Sequence, residues 1–403
     1  MGWSPFRPVG LTHRDSRAFG GYTLITPVGG DAAYLIDEKG LVVHRWAVPD
    51  FQPGYGYLLS GGHLLVRGQP LVKTAVGAGE PAGKADLLLE LDWDSRIVWQ
   101  WEHETFHHDM CRMPNGNTLV IIWEILPEAI AKRIKGGLPP EEVARFQSDP
   151  QFMTFILAGM GVGGRPRLKG MLTDAIWEIN LAGQPVNIWH AYEHFDPETD
   201  TLCPIDLRAE WTHCNAVELT PEGNVLVSSQ KLDTIMMLSW PKGDVLWRWG
   251  GPTRLSHQHD PTITPEGTLL VFDNGSRYPV QGKTRVIEVD MKSGKIIWQY
   301  MGNPVFSFLS LHIAGAERLV NGNTLICEGE SGRIFEVTRS CEICWEWVTP
   351  FVYPFKGYLS CMFFRVHRYA ADSPQLQGKS LDAGRFEELN RSLRLMKGVT
   401  EKG

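Results

Sequence analysis

At 403 residues the chain exceeds the usual single domain, leaving room for two or three ordinary domains or for one large repeat architecture. Its 42 glycines and 15 tryptophans favour the repeat, because short strands, tight turns and recurring aromatic anchors use both. A net charge of −7, with no long run of lysine or arginine, excludes nucleic acid and anionic membrane as main partners and points to a small or uncharged ligand.

The chain begins MGWSPFRPVGLTHRD, without a basic segment leading into an apolar one, and no apolar run is long enough to cross a bilayer. As given it reads as cytoplasmic. From there, an apolar strand, a turn and a second strand ending in tryptophan recur six times. The endings are LVVHRW to Trp46, RIVWQW to Trp101, QPVNIW to Trp189, DVLWRW to Trp249, KIIWQY through Trp298 and CEICWEW to Trp347. Strands such as AYLIDEKG, LLLELDWD and AIWEINLAG precede them, which predicts outer hairpins. Inner strands are announced by turns in FGGYTLIT, SGGHLLV, PNGNTLVI, PEGNVLVS, PEGTLLVF and NGNTLICE, the first being the least regular.

Six four-stranded units of this kind predict an all-β fold, a six-bladed β-propeller over residues 1–375. GYLSCMFFRVHRYA is expected to complete the first blade and close the ring. An insertion at 125–172 interrupts the rhythm with helix-start signals in PEAIAKRIKGG and LPPEEVARF, the apolar FMTFILAGM and the glycine-rich GMGVGGRPRLKG. It reads as a partly helical cap over the axial pocket, with Arg165 and Arg167 placed to meet an anionic substrate. Residues 376–403 read as a C-terminal helical tail, through the amphipathic SLDAGRFEELNRSLRLMK. Seven cysteines make no secreted framework, and the lone CEIC of Cys341 and Cys344 reads as unreactive thiols.

Four of the 13 histidines stand in register with the inner turns. His108 and His259 precede Gly116 and Gly267 by eight residues, while His213 and His312 precede Gly223 and Gly322 by ten. Offsets differing by one strand period aim side chains the same way, so four imidazoles are expected near the propeller axis. By the same parity His107 points away from His108 as a structural residue; His257 shares the parity of His259 but lies farther from the strand, as a group behind the site or at its rim. His190 and His194 fall on a loop, Tyr192 beside them is a candidate proton donor, and Asp273 and Asn274 end an inner strand, where Asn274 is able to reach the channel.

The segments HHDMCRMPNGNTLV, EWTHCNAVELTPEGNVLVSSQ and LSHQHDPTITPEGTLLVFDNG resemble those of the arylsulfotransferase family, six-bladed propellers that move a sulfuryl group between phenols without a nucleotide donor. The resemblance runs from about Tyr57 to Trp347. It implies an enzyme without a cofactor, acting on a small, phenolic substrate. His259 would be the nucleophile that is transiently sulfated and His108 and His213 would hold the transferring group; His312, placed by its register alone, completes the wall in this reading. Gln230, Asn215, Asn274 and Tyr192 are the expected substrate contacts. The family has an arginine just after the strand matching VLVSS; this chain has Gln230 and then Lys231, whose strand parity is wrong for a simple replacement.

That departure keeps a second reading open, a metal-dependent hydrolase, lyase or oxygenase for a small aromatic or apolar substrate. His108, His213, His259 and His312 would then hold iron, copper or zinc, with Asp109, Asp260, Asn215 or Glu330 behind them. A third reading, a propeller that only binds partners, gives no reason for polar residues to converge at the axis.

Overall fold

The apolar triplets that follow the tight turns become strands buried along their whole length, as in Val225–Ser229, Leu269–Asp273 and Thr324–Glu328. Each lies between two antiparallel neighbours, so both backbone edges are paired and both faces meet side chains. The computed structural model describes residues 8–70, 83–139, 170–276, 283–355 and 358–393. Its sheets follow the tryptophan repeat and give the blades of a six-bladed β-propeller.

Two compact units carry the blades: one holds residues 1–74, 87–100 and 313–403, the other 75–86 and 101–312. In the first, blade 1 comprises Tyr22–Ile25, Ala32–Ile36 and Val42–Ala47, completed as expected by His367–Tyr369, with Tyr22 opposite Tyr369. Blade 2 runs from Phe51–Leu58 through Leu64–Pro70 and Leu87–Leu91 to Ile97–Glu102, its last two residues counting with the second unit. Blade 6 comprises Gly315–Arg318, Thr324–Glu328, Arg333–Val337 and Ile343–Val348. Gly10–Arg14 adds a fifth strand outside it, which the sequence did not announce.

The second unit holds blade 3 (Phe106–Arg112, Thr118–Ile125, Leu172–Ile179, Pro185–His190) and blade 4 (Cys214–Leu219, Val225–Ser229, Thr234–Leu238, Val245–Gly250). Blade 5 is His259–Ile263, Leu269–Asp273, Arg285–Asp290 and Lys295–Met301. Of the insertion, Glu128–Ala131 is a single helical turn and Gly136–Leu138 a strand that pairs in parallel with Leu202–Leu207. FMTFILAGM, most of LPPEEVARF, and Arg165 and Arg167 lie outside the described residues. The expected tail helix is short, Glu387–Ser392, and Asn390 ties it to blade 1 by exchanging two hydrogen bonds with Val42. No helix among the described residues is long and apolar enough to cross a membrane.

The repeated aromatic is a between-blade anchor. Trp46, Trp101, Trp189, Trp249 and Trp347 are all buried in fourth strands. In blade 5 the buried position belongs to Tyr300, while Trp298, the expected member, is only half-buried. Three of the tryptophans meet the outer turn of the blade that follows: Trp101 Nε1 donates to Gly183 O (3.1 Å) and Trp249 Nε1 to Gly294 O (3.1 Å), and in the first unit Trp347 Nε1 donates to Gly40 O (3.2 Å). The turn residue needs a left-handed backbone and no side chain, since a Cβ on Gly183 (φ 77°) would stand 2.6 Å from the Trp101 ring. Cys341 occupies the matching left-handed place in blade 6 (φ 66°) and is exposed, while Cys344 is buried in the strand that follows, so CEIC spans turn and core.

Two stability predictions follow from these contacts. Gly223 (φ 82°) has the backbone of Gly183 but open space around its Cβ position. Urea denaturation is expected to show Gly223→Ala costing about 1 kcal/mol from backbone strain alone and Gly183→Ala costing about 2–3 kcal/mol, the excess measuring the indole contact. In blade 1, His44 stacks on Trp93 (3.8 Å between ring centres) with Nε2 2.9 Å from the Trp93 carbonyl. Burial, opposed by that hydrogen bond, pulls its imidazole down from 6.5 to about 4. The unfolded chain therefore binds the extra proton first, and stability present above pH 6.5 is lost as pH falls towards 4. Thermal midpoints measured across that window should decline less in His44→Phe than in the parent.

Candidate active site

In the second unit, the first strands of blades 3 to 5 break their ladders where the registered histidines stand. Opposite Thr118–Ile125, Val120 faces Met110 but Ile121 already faces His107, so a bulge takes up His108 and Asp109. His108 adopts φ 51° and donates its N–H to Gly83 O (2.8 Å) instead of to the ladder. His213 (φ 48°) stands just ahead of a bulge between Cys214 and Ala216, and Asp260 (φ 50°) sits in one between His259 and Thr262. Left-handed backbone costs a non-glycine residue roughly 1–3 kcal/mol and persists only where the surroundings impose it. The parity argument for His107 fails here, because period-two alternation holds only in an unbroken strand.

The bulge turns His107 and His108 towards each other, Nδ1 to Nδ1 at 2.7 Å. His107 lies flat on Trp123 (4.0 Å, 5°), and its Nε2 is 3.0 Å from Asp174 Oδ1, out of line for a hydrogen bond but close enough for ionic attraction. Burial pulls the His107 imidazole down against the opposing pull of Asp174, so the ring is neutral. One of the two Nδ1 atoms donates and the other accepts; a proton on His107 Nε2, the nitrogen facing the carboxylate, makes His108 the donor. The His108 ring in turn meets His213 at 4.6 Å and 72°.

His213 donates from Nδ1 to Glu210 Oε2 (2.6 Å), while Trp123 Nε1 donates to Glu210 Oε1 (2.7 Å). Lys231 Nζ lies 3.5 Å from the same carboxylate. Burial alone would raise the Glu210 carboxyl, but the charges of His213 and then Lys231 outweigh it and hold the group well below the usual carboxylate range. Asp174 Oδ2 accepts from Cys214 N (2.6 Å) and from the Thr212 hydroxyl. The result is a line of three imidazoles, His107, His108 and His213, with a buried carboxylate at each end.

His259 is reached through the neighbouring backbone: Asn215, two residues beyond His213, donates to Gln258 O (2.8 Å). The Gln258 side chain donates to Ser228 Oγ and Ser229 O, pinning the approach to blade 5. Asn274 gives its amide N–H to Ser310 O (2.8 Å), so its Oδ1 faces His259 as an acceptor. His259 Nδ1 is 2.8 Å from that oxygen and 3.2 Å from His257 O, and therefore carries the ring proton. The neutral ring then has its lone pair on Nε2.

Of the predicted residues, His108 and His213 are brought into ring contact, and Asn274 orients His259. His312 is half-buried at the end of the unit. Gln230 serves His213 through its backbone N–H, which donates to His213 O (3.0 Å), and Asn215 is committed to backbone. Tyr192 sits 5.3 Å from the His190 ring, whose Nδ1 pairs with Glu124 (2.9 Å) in a separate half-buried group. Asp273 accepts from Ser256 N and Arg285, and Asp109 from Val217 N, both as fold contacts. Glu330 belongs to the first unit.

Asp174, Glu210, Trp123, His107 and Lys231 were missed as site members. The only sequence signal for them was polarity where burial was expected, as in the aspartate of TDAIWEIN. The four-histidine metal set is not supported: among the described residues the group with ligand atoms close enough to share an ion is Cys203, Asp206 and His257. The Nδ1 atoms of His108, His213 and His259 instead face an imidazole, a carboxylate and an amide.

Residues 154–349 match the arylsulfotransferase (ASST) family model, and over that stretch the chain is arylsulfotransferase-like. No curated protein matches the chain. Among solved structures, a protein of unknown function from Bacteroides caccae is similar at 12% identity and TM-score 0.50, over 86% of this chain and 98% of that one. A virginiamycin B lyase from Staphylococcus aureus is similar at 12% identity and TM-score 0.44, over 88% of this chain and 92% of the other. At such identity the first likeness concerns the fold alone.

Glu210→Gln keeps the shape of this network and removes the carboxylate charge that faces Lys231. Denaturation at neutral pH is expected to show a loss of about 3–5 kcal/mol, partly recovered by adding Lys231→Met. Because the folded carboxyl lies below its ordinary 4.5, its contribution is present above that value and fades as pH falls through the depressed one. The acid limb of the stability curve should therefore be flatter in Glu210→Gln.

Proposed function

We propose that this chain transfers a sulfuryl group between phenolic compounds, with His259 as the nucleophile. The observation that carries the reading is the placement of the His259 ring proton on Nδ1 by Asn274 and the His257 carbonyl, which makes Nε2 the nucleophilic nitrogen of the neutral ring. The match of residues 154–349 to the arylsulfotransferase family supports it.

In the first half-reaction Nε2 attacks the sulfur of an aryl sulfate; an N–S bond forms and the aryl S–O bond breaks. The ring becomes cationic, and Asn274 Oδ1 and His257 O, already accepting from Nδ1–H, stabilise it without rearrangement. The departing phenolate takes a proton from His108 or His213. In the second half-reaction an acceptor phenol attacks the same sulfur as the N–S bond breaks, and its proton returns to that imidazole. His213 is suited to the role because Glu210 fixes its Nδ1–H and directs proton exchange to Nε2.

Incubation with 4-nitrophenyl sulfate and a second phenol should release nitrophenol and sulfate the acceptor, and peptide mapping of a quenched reaction without acceptor should find the label on His259. His259→Ala should lose both label and turnover. Asn274→Ala should keep the fold and slow turnover by roughly 10²–10³, as loss of a preorganised polar contact does. His213→Ala should slow it by roughly 10²–10⁴ while leaving labelling of His259 detectable. Turnover retained in His259→Ala would refute the proposal.

A further inference from the structure

Cys203, Asp206 and His257 form a second buried group, in the same unit, that takes no part in the imidazole line. Two residues three apart on a regular strand face opposite sides, yet both Cys203 and Asp206 approach His257. The strand Leu202–Leu207 is irregular: five steps along it, from Leu202 to Leu207, stand opposite two steps of its partner, from Gly136 to Leu138. Pro204 is the exposed residue of that detour. His257 comes from the approach to blade 5 with φ 58°, and its N–H is fixed by Asp233 Oδ1 (2.7 Å).

From these residues we propose a divalent metal site of the zinc class. One atom from each residue lies within 4.8 Å of the other two, and His257 Nε2 is 3.2 Å from Asp206 Oδ2. Ligands bonded at about 2.0–2.1 Å to a tetrahedral zinc stand roughly 3.3 Å apart, which the histidine–aspartate pair already satisfies. The thiolate closes the third corner, and the fourth position takes a solvent oxygen. Imidazole, thiolate and carboxylate together select a borderline ion over calcium or magnesium. Two anionic ligands also neutralise a dication, which suits a site with all three residues buried. Binding releases the Cys203 thiol proton to solvent, so affinity rises with pH. The ion would hold Leu202–Leu207 to the turn whose carbonyl, at His257, accepts from His259.

The test uses the full chain, stripped with chelator and titrated with cobalt(II) alone. One equivalent should bind with a near-ultraviolet thiolate-to-cobalt band and the visible absorption of a tetrahedral site, and zinc should displace it. Cys203→Ser should lose the band, and Cys203→Ser, Asp206→Asn and His257→Gln should each weaken binding by roughly 10–100-fold or more. His259→Ala should bind cobalt like the parent, which separates this site from the proposed nucleophile. Absence of stoichiometric binding in the parent, binding without a thiolate band, or binding unchanged in Cys203→Ser would each overturn the proposal, and the first two need no variant to fold.

Discussion

Blade spacing in each unit rests on one contact, an indole on the fourth strand of a blade closing on a left-handed turn of the blade that follows. Trp101 against Gly183, Trp189 against Gly243 and Trp249 against Gly294 repeat it through the second unit. A buried indole contributes large apolar area and one directed N–H, so the same residue supplies both packing and registration. The outer strands are thereby fixed, and the first strands tolerate the bulges and left-handed residues that regular pairing would remove. His108, His213 and Asp260 are strained in this sense, and the strain is what aims the imidazoles.

Burial of two carboxylates sets the electrostatics of the imidazole line. Asp174 and Glu210 are ligated by N–H and O–H donors on nearly every side, from Cys214, Thr212, Trp123 and His213. An anionic substrate arriving beside them meets repulsion unless the imidazoles carry protons. Lys231 supplies a cation here, but its charge is engaged with Glu210, so it offsets the carboxylate before it can attract a sulfate. The proposed transfer thus depends on protons held by His108 and His213, where an arginine would provide permanent charge.

The blades were legible because tryptophan, turn glycine and apolar triplet each answer a local demand that recurs at a fixed period. Even the misplacement at KIIWQY was small, Tyr300 filling the anchor position two residues beyond Trp298. His108 and His213 were legible as a pair, since their spacing to Gly116 and Gly223 survives the bulges. Their partners were not. Asp174 comes from the third strand of blade 3, and Glu210 from the loop before blade 4; neither has a spacing that relates it to a histidine in the chain. Lys231 was dismissed by a parity that ends at Ser229, where the strand ends.

The pair in SHQHD shows most directly what backbone conformation adds to spacing. In an extended strand His257 and His259 would share a side and so a function. The left-handed His257 separates them: its ring turns to Asp206, while His259, in the strand itself, turns to Asn274. What joins them is the peptide group between, whose carbonyl at His257 accepts from His259 Nδ1. A constraint on the first ring is therefore passed to the second through a hydrogen bond to backbone, without side-chain contact. Two neighbouring imidazoles with different partners are in this way able to do different chemistry, one holding position and the other presenting a lone pair.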